Sequence, residues 1–176
     1  MNDSHQLPRI LRNPRAAVSA NSPAGIGKTR TGIERLDHIT GGGLPDGRPP
    51  LVFGGPGCGK TMLAAEFLVR GATRLDEPGV FMLFEESASE LTENLRSLGF
   101  DLDSLYAEKK IVLDHVPIER SEIEETGEYE REGLFTRLGQ AIDSIGAKRV
   151  VLDTLKAPGW RITPSYARSC AVISAG

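Results

Sequence analysis

Cysteine is scarce: Cys58 and Cys170 are the 2 in 176 residues, too few for a disulfide framework or a thiolate metal site. Aromatic residues make up 6% of the chain, and 21 Lys and Arg fall short of 24 Asp and Glu. The net charge of −3 and pI near 5.7 leave no basic, aromatic-interleaved face that would hold nucleic acid by charge, so nucleic acid is not an expected partner. No apolar run approaches the ~20 residues that span a bilayer, so no membrane helix is expected. The N-terminus carries Asp3, His5 and scattered arginines and prolines without an apolar core, which argues against a secretory signal. Arg9, Arg12 and Arg15 hint at a transit peptide, but the composition fits a disordered tail better. What remains is 39% apolar and 26% charged, ordinary for one soluble domain with a real core, and the cytoplasm is the default compartment.

Residues 1–29 hold Pro8, Pro14, Pro23, Gly25 and Gly27 with few apolar side chains, and read as a disordered leader. From Arg30 a segment Thr31-Gly32-Ile33-Glu34-Arg35-Leu36-Asp37 leads into a glycine-rich turn, Gly41 to Arg48. A β/α alternation follows. Leu51-Val52-Phe53 reads as a strand and Thr61 to Gly71 as a helix, with Leu63, Ala64, Phe67 and Leu68 at helical spacing. Val80 to Phe84 is a continuous apolar run, as in a strand buried on both faces. Ser89 to Leu98 reads as a helix opened by Ser87 or Ser89 and closed by Gly99. Ile111-Val112-Leu113 is a third strand, Gly133 to Ile145 a third helix closed by Gly146, and Val150-Val151-Leu152 a fourth strand. The fold class is therefore α/β, a mostly parallel sheet with helices on both faces. The acidic stretch from Glu119 to Glu132 reads as a solvated excursion, with a subunit contact as the alternative.

Gly54-Gly55-Pro56-Gly57-Cys58-Gly59-Lys60-Thr61 is a complete P-loop between a strand and a helix. Glycine lets the backbone curl until successive N–H groups face inward, where a side chain would displace the phosphate oxygens. The helix that follows, with Met62 in its first turn, adds unpaired N–H groups and the positive end of its dipole. Lys60 is suited to the β- and γ-phosphates and the Thr61 hydroxyl to Mg²⁺, so ATP with Mg²⁺ is the expected ligand. A second glycine-lysine-threonine run, Gly25 to Thr29, has Ser22 where a P-loop needs its first glycine and no strand before it. It reads as a chance match.

Asp153 ends an apolar strand ~90 residues after the P-loop, the position from which an Asp holds Mg²⁺ in P-loop enzymes. Glu85 and Glu86 end the strand after the P-loop helix. Ligands of open parallel sheets lie beyond the carboxyl ends of the strands, so either carboxylate could orient or deprotonate an attacking water. Surface charge at a strand end is the competing reading.

With these residues placed, the chain resembles the KaiC-type ATPases of the RecA-like P-loop superfamily from about Thr31 to Leu155, a partial domain of residues 30–155. The resemblance rests on Thr31-Gly32-Ile33 with Leu36-Asp37, Gly42-Gly43-Leu44-Pro45 with Gly47-Arg48, the P-loop, Glu77-Pro78-Gly79-Val80-Phe81, Phe84-Glu85-Glu86 and Arg149 to Asp153. It implies ATP hydrolysis at the subunit interfaces of a homohexamer, with Glu85 and Glu86 as the catalytic pair beside Lys60. It also implies a nucleotide contact from Ser97. Autophosphorylation on Ser or Thr belongs to a second domain in that family, and this chain has room for one. The alternatives are a non-catalytic remnant that binds nucleotide or a partner, and a recombinase-like ATPase, against which the acidic charge counts.

After Leu155 the resemblance stops. Back-translating Ala157 to Gly176 and reading two bases along permits AGLADYPILRAELRRHFRW, an arginine-rich amphipathic helix like the one the resembled family carries here. The expectation is an out-of-frame tail over residues 156–176, a C-terminally truncated domain, and a sheet that lacks later strands.

Overall fold

A computed structural model describes residues 26–84, 86–116, 129–153 and 169–175, the backbone alone for 129–132 and 169–175. The chain begins with β1 (Lys28–Thr29), α1 (Glu34–Ile39) and β2 (Leu44–Pro45), and β1 and β2 pair antiparallel. The main sheet is built from β3 (Leu51–Gly54), β4 (Gly79–Leu83), β5 (Ile111–His115), β6 (Arg149–Asp153) and β7 (Ser169–Ala175). Its order is β3-β7-β6-β4-β5, and every pair is parallel. The helices are α2 (Lys60–Arg74), α3 (Ala88–Ser97), α4 (Leu102–Ala107) and α5 (Tyr129–Ile145).

The period of two in the strands divides the core between the two faces. Phe81, Leu83 and Val151 pack with Ala64, Phe67, Leu68, Leu91, Leu95, Leu102 and Leu105, so α2, α3 and α4 cover one face. Val80, Met82, Val150 and Leu152 pack with Leu138, and with Leu134, Phe135, Ile142 and Ile145 around it, so α5 covers the other. β4 and β6 are buried at every position because helices lie on both sides of them.

The helix after the P-loop runs three residues past Gly71, which is not a terminator. A Cβ at Gly71 would lie 2.4 Å from the Arg149 Cδ, so this glycine makes room for a buried guanidinium. Arg149 is 0% exposed; it donates to Thr31 O (2.9 Å), Phe67 O (2.8 Å), Arg30 O (2.6 Å) and Glu77 Oε2 (2.8 Å). One side chain thereby joins β6, α2, the entry to β4 and the segment before α1. Helix α3 starts at Ala88 with Ser87 as its N-cap, in a reciprocal capping box with Glu90, and Gly99 lies beyond its end with φ 84°.

The leader boundary at residue 29 moves, because Lys28 and Thr29 form β1. The Lys28 ammonium reaches the carbonyls of Thr40 and Gly41, and the Thr29 hydroxyl reaches Asp46, so this run holds the glycine turn in place. The sheet also gains a strand after Leu155. β7 lies between β3 and β6 and pairs in parallel with both, so the backbone of one short strand serves the ladders of two neighbours. Residues 1–25, most of the acidic stretch, and 154–168 lie outside the described residues. Among those described, no helix is long and apolar enough to cross a membrane.

Candidate functional site

The loop from Gly54 to Lys60 leaves the end of β3 and enters α2. Gly57 (φ 72°) and Gly59 (φ 87°) hold left-handed conformations that an L side chain resists. A Cβ placed on Gly55, Gly57 or Gly59 would meet nothing within 4 Å, so the loop surrounds open space. Gly54 is glycine for a different reason: a Cβ there would lie 2.7 Å from the Cys58 Sγ. No side chain caps the start of α2, and its first turn carries no acidic residue. Its first N–H groups therefore stay available to an anion. The Lys60 ammonium folds back over the loop, 2.6 Å from Gly54 O, 2.9 Å from Gly55 O and 3.7 Å from the Cys58 Sγ. Thr61 is half-buried in the same first turn, and Met62 packs against the core beneath it.

Register sets the rest of the site. Val52, Ile173, Asp153, Leu83 and His115 occupy one row across the parallel sheet. Asp153 stands two strands from β3, on the order of 10 Å, at the edge where the P-loop emerges. It is 4% exposed, a buried carboxylate at the end of a strand. Glu86 follows β4 on the same edge, half-buried, and accepts a 2.7 Å hydrogen bond from the Asn94 amide of α3. Burial pushes its carboxyl above the ordinary range; the Asn94 amide pulls the other way, and the negative charges of Asp153 and Glu90 add to the rise. Glu85 lies outside the described residues.

The loop, Asp153 and Glu86 thus share one edge of the sheet. Ser97 is exposed at the end of α3, its hydroxyl donating to Asn94 O (2.6 Å), and among the described residues no hydrogen bond joins it to the loop. Asn94 was missed by sequence reasoning, since a polar residue on an exposed helix face carries no signal of its own. Arg149 and Glu77 were noted only inside motifs. Their pairing (2.7 Å), a buried guanidinium on a half-buried carboxylate, needs two segments that are 72 residues apart to meet.

The donor set is chemically consistent: backbone N–H groups and a lysine for phosphate, and the hard oxygens of Thr61 and Asp153 for a small divalent cation. The family model described as "ATPase: KaiC" matches residues 29–170. The chain is 58% identical over 129 residues to the circadian clock protein KaiC2 of Synechocystis sp., covering 73% of this chain and 23% of that protein. It is 43% identical over 143 residues to the circadian clock oscillator protein KaiC of Picosynechococcus sp., covering 80% and 28%. Against the protein of that description from Synechococcus elongatus it is 42% identical over 131 residues, covering 74% and 25%. The chain spans about a quarter of the length of the curated relatives it matches. With the motifs on one RecA-like α/β sheet and the family match running over most of the chain, the chain belongs to the KaiC family of ATPases.

Proposed function

We propose that this chain is an ATP-binding and ATP-hydrolysing module that takes up ATP with Mg²⁺ at residues 54–62. The open cradle of Gly55, Gly57 and Gly59, with a lysine already folded over it, carries the reading. The carbonyls that now hold Lys60 are neutral, and a phosphate offers the same ammonium a full negative charge in a confined loop. Lys60 then pairs with the β- and γ-phosphates, and the uncapped N–H groups in the first turn of α2 are offered to their oxygens. Thr61 and Asp153 would hold Mg²⁺, which when bound neutralises charge on the phosphates.

Glu85 and Glu86 orient the attacking water and accept its proton as the new oxygen–phosphorus bond forms and the bond to the ADP oxygen breaks. Burial suits Glu86 to taking up that proton. Ser97 is assigned to the nucleotide by family resemblance. The complete family member would act as a cytoplasmic homohexamer, whose neighbouring subunits supply further cations.

Equilibrium ATP binding and phosphate release test this. Lys60→Ala should weaken ATP binding about 10- to 100-fold. Glu85→Gln with Glu86→Gln should leave affinity nearly unchanged and slow release of phosphate. Unchanged affinity in Lys60→Ala would place the nucleotide elsewhere. Tight binding without turnover in the unsubstituted chain would leave a non-catalytic nucleotide module.

A further inference from the structure

We propose that Asn94 is a positioning residue for hydrolysis: its side-chain amide holds the Glu86 carboxylate by Oε1 and leaves Oε2 to face water. This rests on the proposed role of Glu86 in handling that water.

Glu86 is crowded by charge of its own sign, with Asp153 and Glu90 among the groups that act on it. A half-buried carboxylate under like-charge repulsion gains by rotating outward to solvent. The Asn94 Nδ2, 2.7 Å from Glu86 Oε1, is the contact that opposes this rotation. An amide suits the task. It donates without adding charge, whereas a carboxylate there would add a third repulsion and an ammonium would neutralise the base.

The donor itself is held firmly. Leu91 and Leu95 on the same helix are 0% exposed and fix the face of α3 against the sheet. The Ser87–Glu90 capping box fixes the start of the helix, its N-cap one residue after Glu86. The Ser87 amide donates to Glu90 Oε2 (3.0 Å), so the backbone carrying Glu86 and the helix carrying Asn94 are tied within four residues of each other. The carboxylate is therefore gripped at both ends, through its backbone by the cap and through its oxygen by the amide.

Only turnover separates a positioning role for Asn94 from a purely structural one. The residue is exposed within a helix, where alanine has higher helix propensity, so Asn94→Ala should leave stability unchanged or raised unless the Glu86 contact matters. The experiment is a double-mutant cycle of Asn94→Ala and Glu86→Ala in the full chain, read three ways. Without nucleotide, denaturant unfolding should show the two changes coupled, by at least about 3-fold in the unfolding equilibrium. Equilibrium ATP affinity should stay within about 2-fold in each variant, since neither residue belongs to the phosphate cradle. In turnover, Asn94→Ala should lower kcat about 10- to 100-fold with KM little changed, as expected for a misoriented catalytic group, and should cost nothing further once Glu86 is Ala.

Additive effects in unfolding and turnover, or an unchanged kcat in Asn94→Ala while Glu86→Ala is impaired, would overturn this proposal alone. An unsubstituted chain without turnover, or Glu86→Ala without effect on it, would overturn the role of Glu86 and the positioning role with it.

Discussion

Among the described residues, the least exposed charged side chain sits at the opposite end of its strand from the candidate site. Arg149 opens β6, and Asp153, which borders the phosphate edge, closes the same strand. Burial draws the guanidinium pKa down, and Glu77 opposes that by hydrogen bond and charge. With the Phe67 ring 4.4 Å from its Cζ and three backbone carbonyls as acceptors, its desolvation is compensated on every side. Asp37 does a similar task at the surface. It accepts from Thr31 N (2.7 Å), the Thr31 hydroxyl (2.7 Å) and Gly32 N (3.2 Å), closing the turn into α1. Partial burial raises its pKa, but the Thr31 hydroxyl and the two amides outweigh this and hold it below 3.8. A depressed carboxyl contributes stability that is fully present above its unfolded value and is lost as pH falls through the folded one. Asp37→Asn should therefore cost about 1–3 kcal/mol at pH 7. That difference should shrink as pH drops below 3.8, measured by urea unfolding at pH 7 and pH 3. A difference that persists undiminished at low pH would show that the charge is not what closes the turn.

At the scale of elements, α2 is where propensity and packing disagree. Helix propensity alone makes Gly71→Ala stabilising by ~1 kcal/mol. The new methyl carbon would stand 2.4 Å from Arg149 Cδ and 2.5 Å from its Nε, so the guanidinium must move and its bonds to Phe67 and Thr31 with it. Overpacking of this kind costs about 1–3 kcal/mol and should win, lowering the thermal midpoint of unfolding. An increase in the midpoint would mean that Arg149 repacks freely. Element boundaries were legible where a local device sets them. Ser87 with Glu90 marks the start of α3, Gly99 and Gly146 (φ 61°) lie past the ends of α3 and α5, and the apolar run of β4 declares a doubly covered strand. Where a distant partner sets the boundary, as Arg149 does for Gly71, the local pattern pointed to an end that the fold does not use.

At the scale of the whole molecule, among the described residues the sheet ends on one side at β3, whose alternating exposure leaves Leu51 (62%) and Phe53 (73%) exposed. Apolar residues on an edge strand invite association with other chains. Leu51→Lys should reduce self-association in light scattering without touching the loop that starts at Gly54. Equal scattering by both proteins would show that this edge is not the sticky surface.

The P-loop spacing, the apolar strands and the Asp that ends β6 are local patterns, because the chemistry each serves needs particular residues at fixed intervals along the chain. They were enough for the α/β class and for the candidate phosphate site. Which strands are neighbours was decided only in three dimensions. β7 enters between β3 and β6 although its sequence carries little signal, since pairing depends on what two other strands leave open. The same holds for the grip of Asn94 on Glu86 and for the burial of Arg149. Both depend on side chains whose partners are set by packing, and no spacing along the chain encodes them.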